Sequence, residues 1–230
     1  GHTAALIAVS EEEVWEALGL GFDPSRVTLI RNGVRTVDVG PVIIRESGEL
    51  TVGFFGRLVR QKGPDLLLEA AADVVARLSH VRFRFFGEGA LGPALRKRTE
   101  ALGLEEHVRF EGECLPHEAV ARMRETDVVA VPSRWEGCPY VVLEAHQAGV
   151  PVVAAKVGGI PELVRNGADG VLVEAENVDA LCDALLSLLR DPSKRKRLAE
   201  AGRVSVAGRN LATMASAVAD VYDHARSRRP

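Results

Sequence analysis

Val131-Pro-Ser-Arg-Trp-Glu136-Gly-Cys-Pro-Tyr-Val-Val-Leu-Glu144-Ala145 is the stretch on which the reading of this chain turns. Just before it, Asp127-Val-Val-Ala-Val131 is an apolar run that stops at Pro132, as a buried strand does. Pro139 suits a first helical position, and Tyr140–Ala148 contains no breaker. Glu136 therefore falls in the loop at the carboxyl end of a strand. Glu144 falls about 7 Å further along the helix axis, at 1.5 Å rise per residue. Both carboxylates are expected to face the crevice in which open α/β sheets hold their ligands. An ionised carboxylate accepts hydrogen bonds and donates none, so the pair suits a ligand with several hydroxyls.

Outward from this stretch, strands and helices alternate. Leu50–Phe55, Val81–Phe86, Val108–Glu111, Asp127–Val131, Pro151–Ala155 and Gly170–Val173 are short and rich in Val or Phe. Between them, Pro64–Leu78, Pro93–Leu102, His117–Arg124, Tyr140–Ala148 and Ile160–Val164 show apolar spacings of three and four. The alternation predicts an α/β, Rossmann-like parallel sheet with helices on both faces. Three helices follow: Val178–Arg190, Pro192–Ala201 and Leu211–Ala225. Ahead of the sheet stands a short βαβ unit: strand Ala4–Val9, a helix capped by Ser10 with Glu13 in capping-box position, and strand Val27–Ile30. Residues 31–49 mix Gly, Pro and charge and read as a linker.

The chain has 230 residues, 47% hydrophobic and 27% charged, with a net charge of −3. This balance belongs to a soluble globular protein and argues against general nucleic-acid binding. No apolar run approaches the roughly 18–20 residues of a membrane helix, and no signal peptide is visible. Cys114, Cys138 and Cys182 lack metal-ligand spacing and fit a reducing, cytoplasmic compartment. The basic clusters Lys194–Arg197 and Arg226–Arg229 read as solvated helix face or tail. The chain starts without methionine, which suggests processing, cutting or origin in a longer protein.

Three further stretches carry possible chemistry. In Gly53-Phe-Phe-Gly56-Arg57-Leu-Val-Arg60-Gln-Lys62-Gly63-Pro64, a loop bearing Arg57, Arg60 and Lys62 leads into a helix amino terminus. Free N–H groups and the helix dipole already favour an anion there; a solvated basic loop is the alternative. Gly87-Glu-Gly-Ala-Leu-Gly92 matches G-x-G-x-x-G, with Glu111 and Glu113 about twenty residues on, where a ribose-binding acid is sought. It follows the second strand of its sheet, not the first, which favours a tight turn over NAD. In Val157-Gly158-Gly159-Ile160-Pro161-Glu162 the glycines allow close backbone approach, or serve an ordinary strand-to-helix turn. Glu136 and Glu144 sit around one helix start, a poor placement for a glycosidase acid/base pair.

Taken in order, Val9-Ser10-Glu11, Asn32-Gly33-Val34, Gly56-Arg57 with Lys62-Gly63, Gly87-Glu88-Gly89, Phe110-Glu-Gly112, Pro132-Ser133 with Glu136 and Glu144-Ala145, Gly149-Val-Pro151 and Gly158-Gly159-Ile-Pro-Glu162 form a specific series. The series resembles the carboxyl-terminal, donor-binding half of a GT-B retaining glycosyltransferase. The family meant is the large one with bacterial mannosyl- and glucosyltransferases, microbial-type glycogen synthases and sucrose synthases. The resemblance covers about residues 4–200.

The resemblance implies roles. Arg57 and Lys62 match the pair that neutralises the diphosphate of a nucleotide-sugar donor. Glu136 matches the glutamate that binds donor-sugar hydroxyls, and Glu144 the one that holds the ribose. Gly137, Cys138, Tyr140 and Val141 match the backbone facing sugar and phosphates. Gly56, Gly87, Glu88 and the segment around Cys114 match the flanks of the phosphates and base. Transfer would retain the anomeric configuration without a metal or other cofactor, with Arg57, Lys62 and Glu136 the catalytic set.

This chain has Cys138-Pro139 where the family often has Phe-Gly, and Pro139 has no N–H to offer a phosphate. Residues 1–40 are expected to be a remnant of an acceptor domain with its linker. Residues 41–209 would be the donor domain, and 210–230 a helix crossing back. The acceptor, whether glycan, lipid or small molecule, would belong to the absent domain, and the full-length protein could be membrane-peripheral. The chain alone is expected to bind donor, transfer weakly or not at all, and self-associate through exposed interdomain surface. An NAD(P)-binding oxidoreductase module on Gly87–Gly92 and a nucleotide-binding module without catalysis are the alternatives.

Overall fold

The computed structural model describes residues 3–227. The chain opens on a unit of its own, β1 (Leu6–Ala8), α1 (Glu11–Gly19) and β2 (Val27–Leu29). β1 and β2 pair in parallel, Leu6 opposite Val27, as a separate two-stranded sheet. Ser10 caps α1 as its spacing to Glu13 suggests. Its Oγ accepts from the Glu13 N–H at 3.2 Å, while Glu13 Oε2 accepts from the Val9 N–H at 2.9 Å. Both strands are shorter than their apolar runs, because each has a single neighbour to pair with.

The main body alternates: β3 (Leu50–Phe55), α2 (Pro64–Arg77), β4 (Val81–Phe86), α3 (Gly92–Ala101), β5 (Val108–Gly112), α4 (Ala119–Met123), β6 (Val128–Val131), α5 (Tyr140–Ala148), β7 (Val152–Ala155), α6 (Ile160–Leu163) and β8 (Val171–Val173). The strands form one six-stranded sheet in the order β5-β4-β3-β6-β7-β8. Every pairing in it is parallel. The order reverses between β3 and β6, where Val52 lies opposite Val128. Such a reversal leaves a crevice at the carboxyl ends of the two strands. The loops Gly56–Gly63 and Pro132–Pro139 form its walls.

Alternation along the strands builds a core on each face. Leu50, Val52, Phe54, Phe83, Phe85, Val128 and Ala130 pack with Leu67, Leu68 and Val74 of α2 and with Leu181, Leu185 and Leu188 of α7 (Val178–Leu189). Val129, Val131, Val152 and Ala154 pack on the other side with Val142, Leu143 and Ala145 of α5. β6 is thus buried on both faces, which is why its sequence is an unbroken apolar run.

The tail holds α8 (Pro192–Val206) and α9 (Leu211–Ser227). α8 continues past the expected end at Ala201, through Gly202. That glycine lies against the His146 ring, where an added Cβ would sit 2.8 Å from Cδ2. The reading of Lys194–Arg197 as a solvated face fails at Arg195, whose exposure is 0%. Its Nη1 donates to the last carbonyls of α7, Leu188 at 2.7 Å and Leu189 at 2.8 Å. Nη2 donates to the Arg45 carbonyl at 2.5 Å, tying down residue 45 of the expected linker. In the second basic cluster, Arg228 and Arg229 lie outside the described residues.

α9 returns to the amino-terminal unit. Val34 bridges Asn210, the Gly33 N–H donates to Met214 Sδ at 3.3 Å, and Asp220 and Val221 border a hollow with Ala5 and Thr28. Among the described residues, no helix is long and apolar enough to cross a membrane.

Candidate functional site

The two loops of the β3/β6 crevice are stapled to each other. The Arg134 N–H donates to the Gln61 carbonyl at 2.8 Å, and Gln61 Nε2 donates to the Trp135 carbonyl at 3.2 Å. The Arg134 guanidinium forks onto Asp65 at 2.9 and 2.7 Å and donates to Glu176 at 2.6 Å and the Arg60 carbonyl at 2.8 Å. One arginine thereby joins the β6–α5 loop, the start of α2 and the loop after β8, a bidentate geometry that lysine cannot supply. Its role was not legible in the sequence, since Asp65 lies 69 residues away.

Across the crevice, Lys62 meets Glu136. Nζ donates to Oε1 at 2.6 Å and Oε2 at 2.8 Å. The Glu136 side chain is 5% exposed and that of Lys62 22%, so the charges compensate each other largely out of water. Ser133 Oγ, also buried, donates to Glu136 Oε1 at 2.6 Å. Backbone packing fixes the same loop. Gly158 has φ +52, and a Cβ there would run into the Glu136 carbonyl; the Gly159 N–H donates to the Gly137 carbonyl at 2.8 Å. The two glycines after β7 therefore brace the glutamate loop.

Glu144 sits apart from that pair. It borders a cleft of about 410 Å³ with Gly56, Arg57, Gly87, Glu88, Cys114 and Val141. Most of the expected nucleotide-contacting residues thus converge from three loops and the start of α5. Arg57 is exposed, and among the described residues its guanidinium donates to Gln61 Oε1 at 3.4 Å. The half-buried Glu144 carboxylate has no hydrogen bond or ion pair among the described residues, and burial raises its pKa. Glu136 and Gly137 border a neighbouring cleft of about 590 Å³ with Ser10 and Trp135, so the two glutamates do not share one wall. Tyr140 borders a third, of about 740 Å³, with Glu144 and Val34.

Cys138 turns its side chain inward. It packs on the apolar cluster under α5, and its carbonyl accepts from Asn32 Nδ2 at 2.8 Å. Burial pushes the Cys114 and Cys138 thiols up, which keeps both from being ready nucleophiles. Gly87 is held by packing: its φ is +138, and a Cβ would strike the Gly56 carbonyl. The G-x-G-x-x-G stretch accordingly follows β4, one strand away from the switch point. Among the described residues, no three His, Cys, Asp or Glu side chains gather to hold a metal.

An unpaired, half-buried carboxylate costs stability at neutral pH, which gives a test on the ligand-free protein. Because folding raises the pKa of Glu144, the native state binds its proton first as pH falls, and the penalty is relieved below the folded pKa. Glu144→Gln is expected to stabilise the chain by about 0.5–1 kcal/mol at pH 7, a gain that shrinks on acidification. Urea unfolding at pH 7 and pH 5 measures both.

A family model described as glycosyl transferases group 1 matches residues 42–205. The D-inositol 3-phosphate glycosyltransferase of Corynebacterium glutamicum is 34% identical over 216 residues, 86% of this chain and 52% of that protein. That of Frankia alni is 35% identical over 241 residues, 96% of this chain and 59% of that protein. The chain spans about half the length of the curated relatives it matches. Among solved structures, HepE of Anabaena in complex with UDP-glucose gives a TM-score of 0.84 at 24% identity, over 96% of this chain and 64% of that one. The carboxyl-terminal domain of LpcC, a glycosyl transferase group 1 family protein of Francisella tularensis, gives 0.70 at 26% identity, over 78% of this chain and 100% of that one. With the family model covering most of its length, the chain belongs to the glycosyl transferases group 1 family, and it has the fold of a GT-B carboxyl-terminal domain.

Proposed function

We propose that this chain binds a nucleoside diphosphate sugar in the β3/β6 crevice and is the donor half of a retaining glycosyltransferase. The observation that carries the proposal is Glu144: a half-buried carboxylate without a partner among the described residues, in the same cleft as Arg57 and at the switch point of the sheet. Such a group is costly unless a ligand supplies its hydrogen bonds, and a ribose diol supplies two.

On this reading the base lies against Gly87, Glu88 and the Cys114 segment, with the ribose on Glu144. The diphosphate lies between Arg57, Lys62 and the amino terminus of α5, where Tyr140 and Val141 present N–H groups that no earlier turn takes up. The sugar then reaches Glu136. In transfer, the bond from the anomeric carbon to the diphosphate oxygen breaks, the acceptor oxygen bonds to that carbon on the same face, and the leaving diphosphate takes the acceptor proton. Arg57, Lys62 and the helix end stabilise the charge that grows on the leaving group. These cations meet the charge without a metal. Residues 1–40 and the helix after 210 would lie against an acceptor-binding half that holds the glycan, lipid or small-molecule acceptor. Trp15, Leu20 and Tyr222, 70%, 80% and 66% exposed, support self-association of the chain alone through that side.

Calorimetric titration with UDP-glucose, UDP-N-acetylglucosamine, GDP-mannose and ADP-glucose, each beside its own nucleoside diphosphate, tests the proposal. At least one pair should bind, and Glu144→Ala should weaken both members about tenfold or more. Absence of binding across the panel would count against donor binding.

A further inference from the structure

We propose that Ser133 is a positioning residue for donor-sugar recognition, holding the Glu136 carboxylate in place when the diphosphate draws on Lys62. The inference rests on the donor-binding reading above.

Three hydrogen bonds reach Glu136. Lys62 Nζ donates to both oxygens, at 2.6 and 2.8 Å, and Ser133 Oγ donates to Oε1 at 2.6 Å. A carboxylate offers about four acceptor positions, so Oε1 is filled and Oε2 keeps one for a ligand hydroxyl. Lys62 serves two anions. It neutralises Glu136 in the ligand-free crevice, and on the donor-binding reading it also meets the diphosphate. A phosphate that attracts the ammonium weakens its hold on Glu136 at the moment the sugar arrives.

Ser133 does not face that competition. It is 1% exposed, and its hydroxyl donates to Glu136 three residues on, within the same loop. Its backbone position is independently fixed. The Pro132 carbonyl packs against Gly63, and the Arg134 N–H is held by the Gln61 carbonyl at 2.8 Å. The hydroxyl thus pins one carboxylate oxygen and leaves the other aimed at the ligand. Without it, the carboxylate is free to rotate toward the cation, and the geometry offered to the sugar is lost while the phosphate and ribose contacts remain.

Titrating the 230-residue chain with the tightest nucleoside diphosphate of the panel, and with its sugar conjugate, separates these contributions. Ser133→Ala should raise the Kd of the conjugate roughly five- to tenfold and that of the diphosphate less than twofold. In a Glu136→Ala background the same substitution should change neither, because it acts through Glu136. If Ser133→Ala leaves the conjugate's Kd within twofold, or raises both Kd values alike, the positioning role is wrong while donor binding stands. If no diphosphate binds the unaltered chain, the donor reading fails and this inference fails with it. A melting temperature near that of the parent shows that the variant folds; should Ser133→Ala not fold, Ser133→Cys keeps the volume with a weaker donor and must give the same selective loss, and an unselective result overturns the inference.

Discussion

Replacing Lys62 with Met should abolish donor binding at any practical concentration, a loss of about a hundredfold or more, and should also weaken the fold. The two effects have separate causes. Glu136 is 5% exposed and depends on Lys62 for its countercharge, so removing the ammonium strands a buried carboxylate with Ser133 alone. Breaking one partner of such a pair costs about 3–5 kcal/mol, far more than the pair itself contributes. The binding loss comes from the missing cation beside the diphosphate. A second substitution tells them apart. Lys62→Met with Glu136→Gln should regain most of the stability in urea unfolding, since no charge is left unpaired, while binding stays lost. Recovery of binding in the double variant would mean that Lys62 serves only as the countercharge of Glu136.

Arg195→Ala should destabilise the chain by about 3 kcal/mol, although it lies far from the crevice. The substitution strips the Leu188, Leu189 and Arg45 carbonyls of their donor and opens a void at a position with 0% exposure. Arg195→Lys should recover little, because one ammonium cannot reproduce a fork that spans the end of α7 and the segment before β3. Urea unfolding measures both variants, and a change below about 1 kcal/mol would show that those carbonyls find water instead. Donor affinity of the folded fraction should be unchanged.

The contrast between these two residues shows what the sequence could reveal. The place of Lys62, on a loop running into the start of α2, was legible because loop, glycine and helix start are neighbours in sequence. The same holds for the Ser10–Glu13 capping box and for β6, whose apolar run reports burial on both faces. Arg195 was not. Its three acceptors include a carbonyl 150 residues away, and a basic run on a helix looks solvated until the packing is known. Arg134 escaped for the same reason, with Asp65 and Glu176 brought to it only by the fold. Gly202 carries no local hint that it continues α8 against His146. The pairing of Lys62 with Glu136 needed the β3/β6 register, as did the finding that Glu136 and Glu144 border different clefts. Residue types were readable; partnerships across the switch point were not.

A crystal structure of the chain with a bound nucleoside diphosphate sugar would show where the donor sits. The ribose hydroxyls should lie within hydrogen-bonding distance of Glu144, the diphosphate between Arg57, Lys62 and the start of α5, and the sugar at Glu136. A ligand laid along Gly87–Gly92 with its ribose on Glu111, making no contact with Glu144, would overturn donor binding in the β3/β6 crevice.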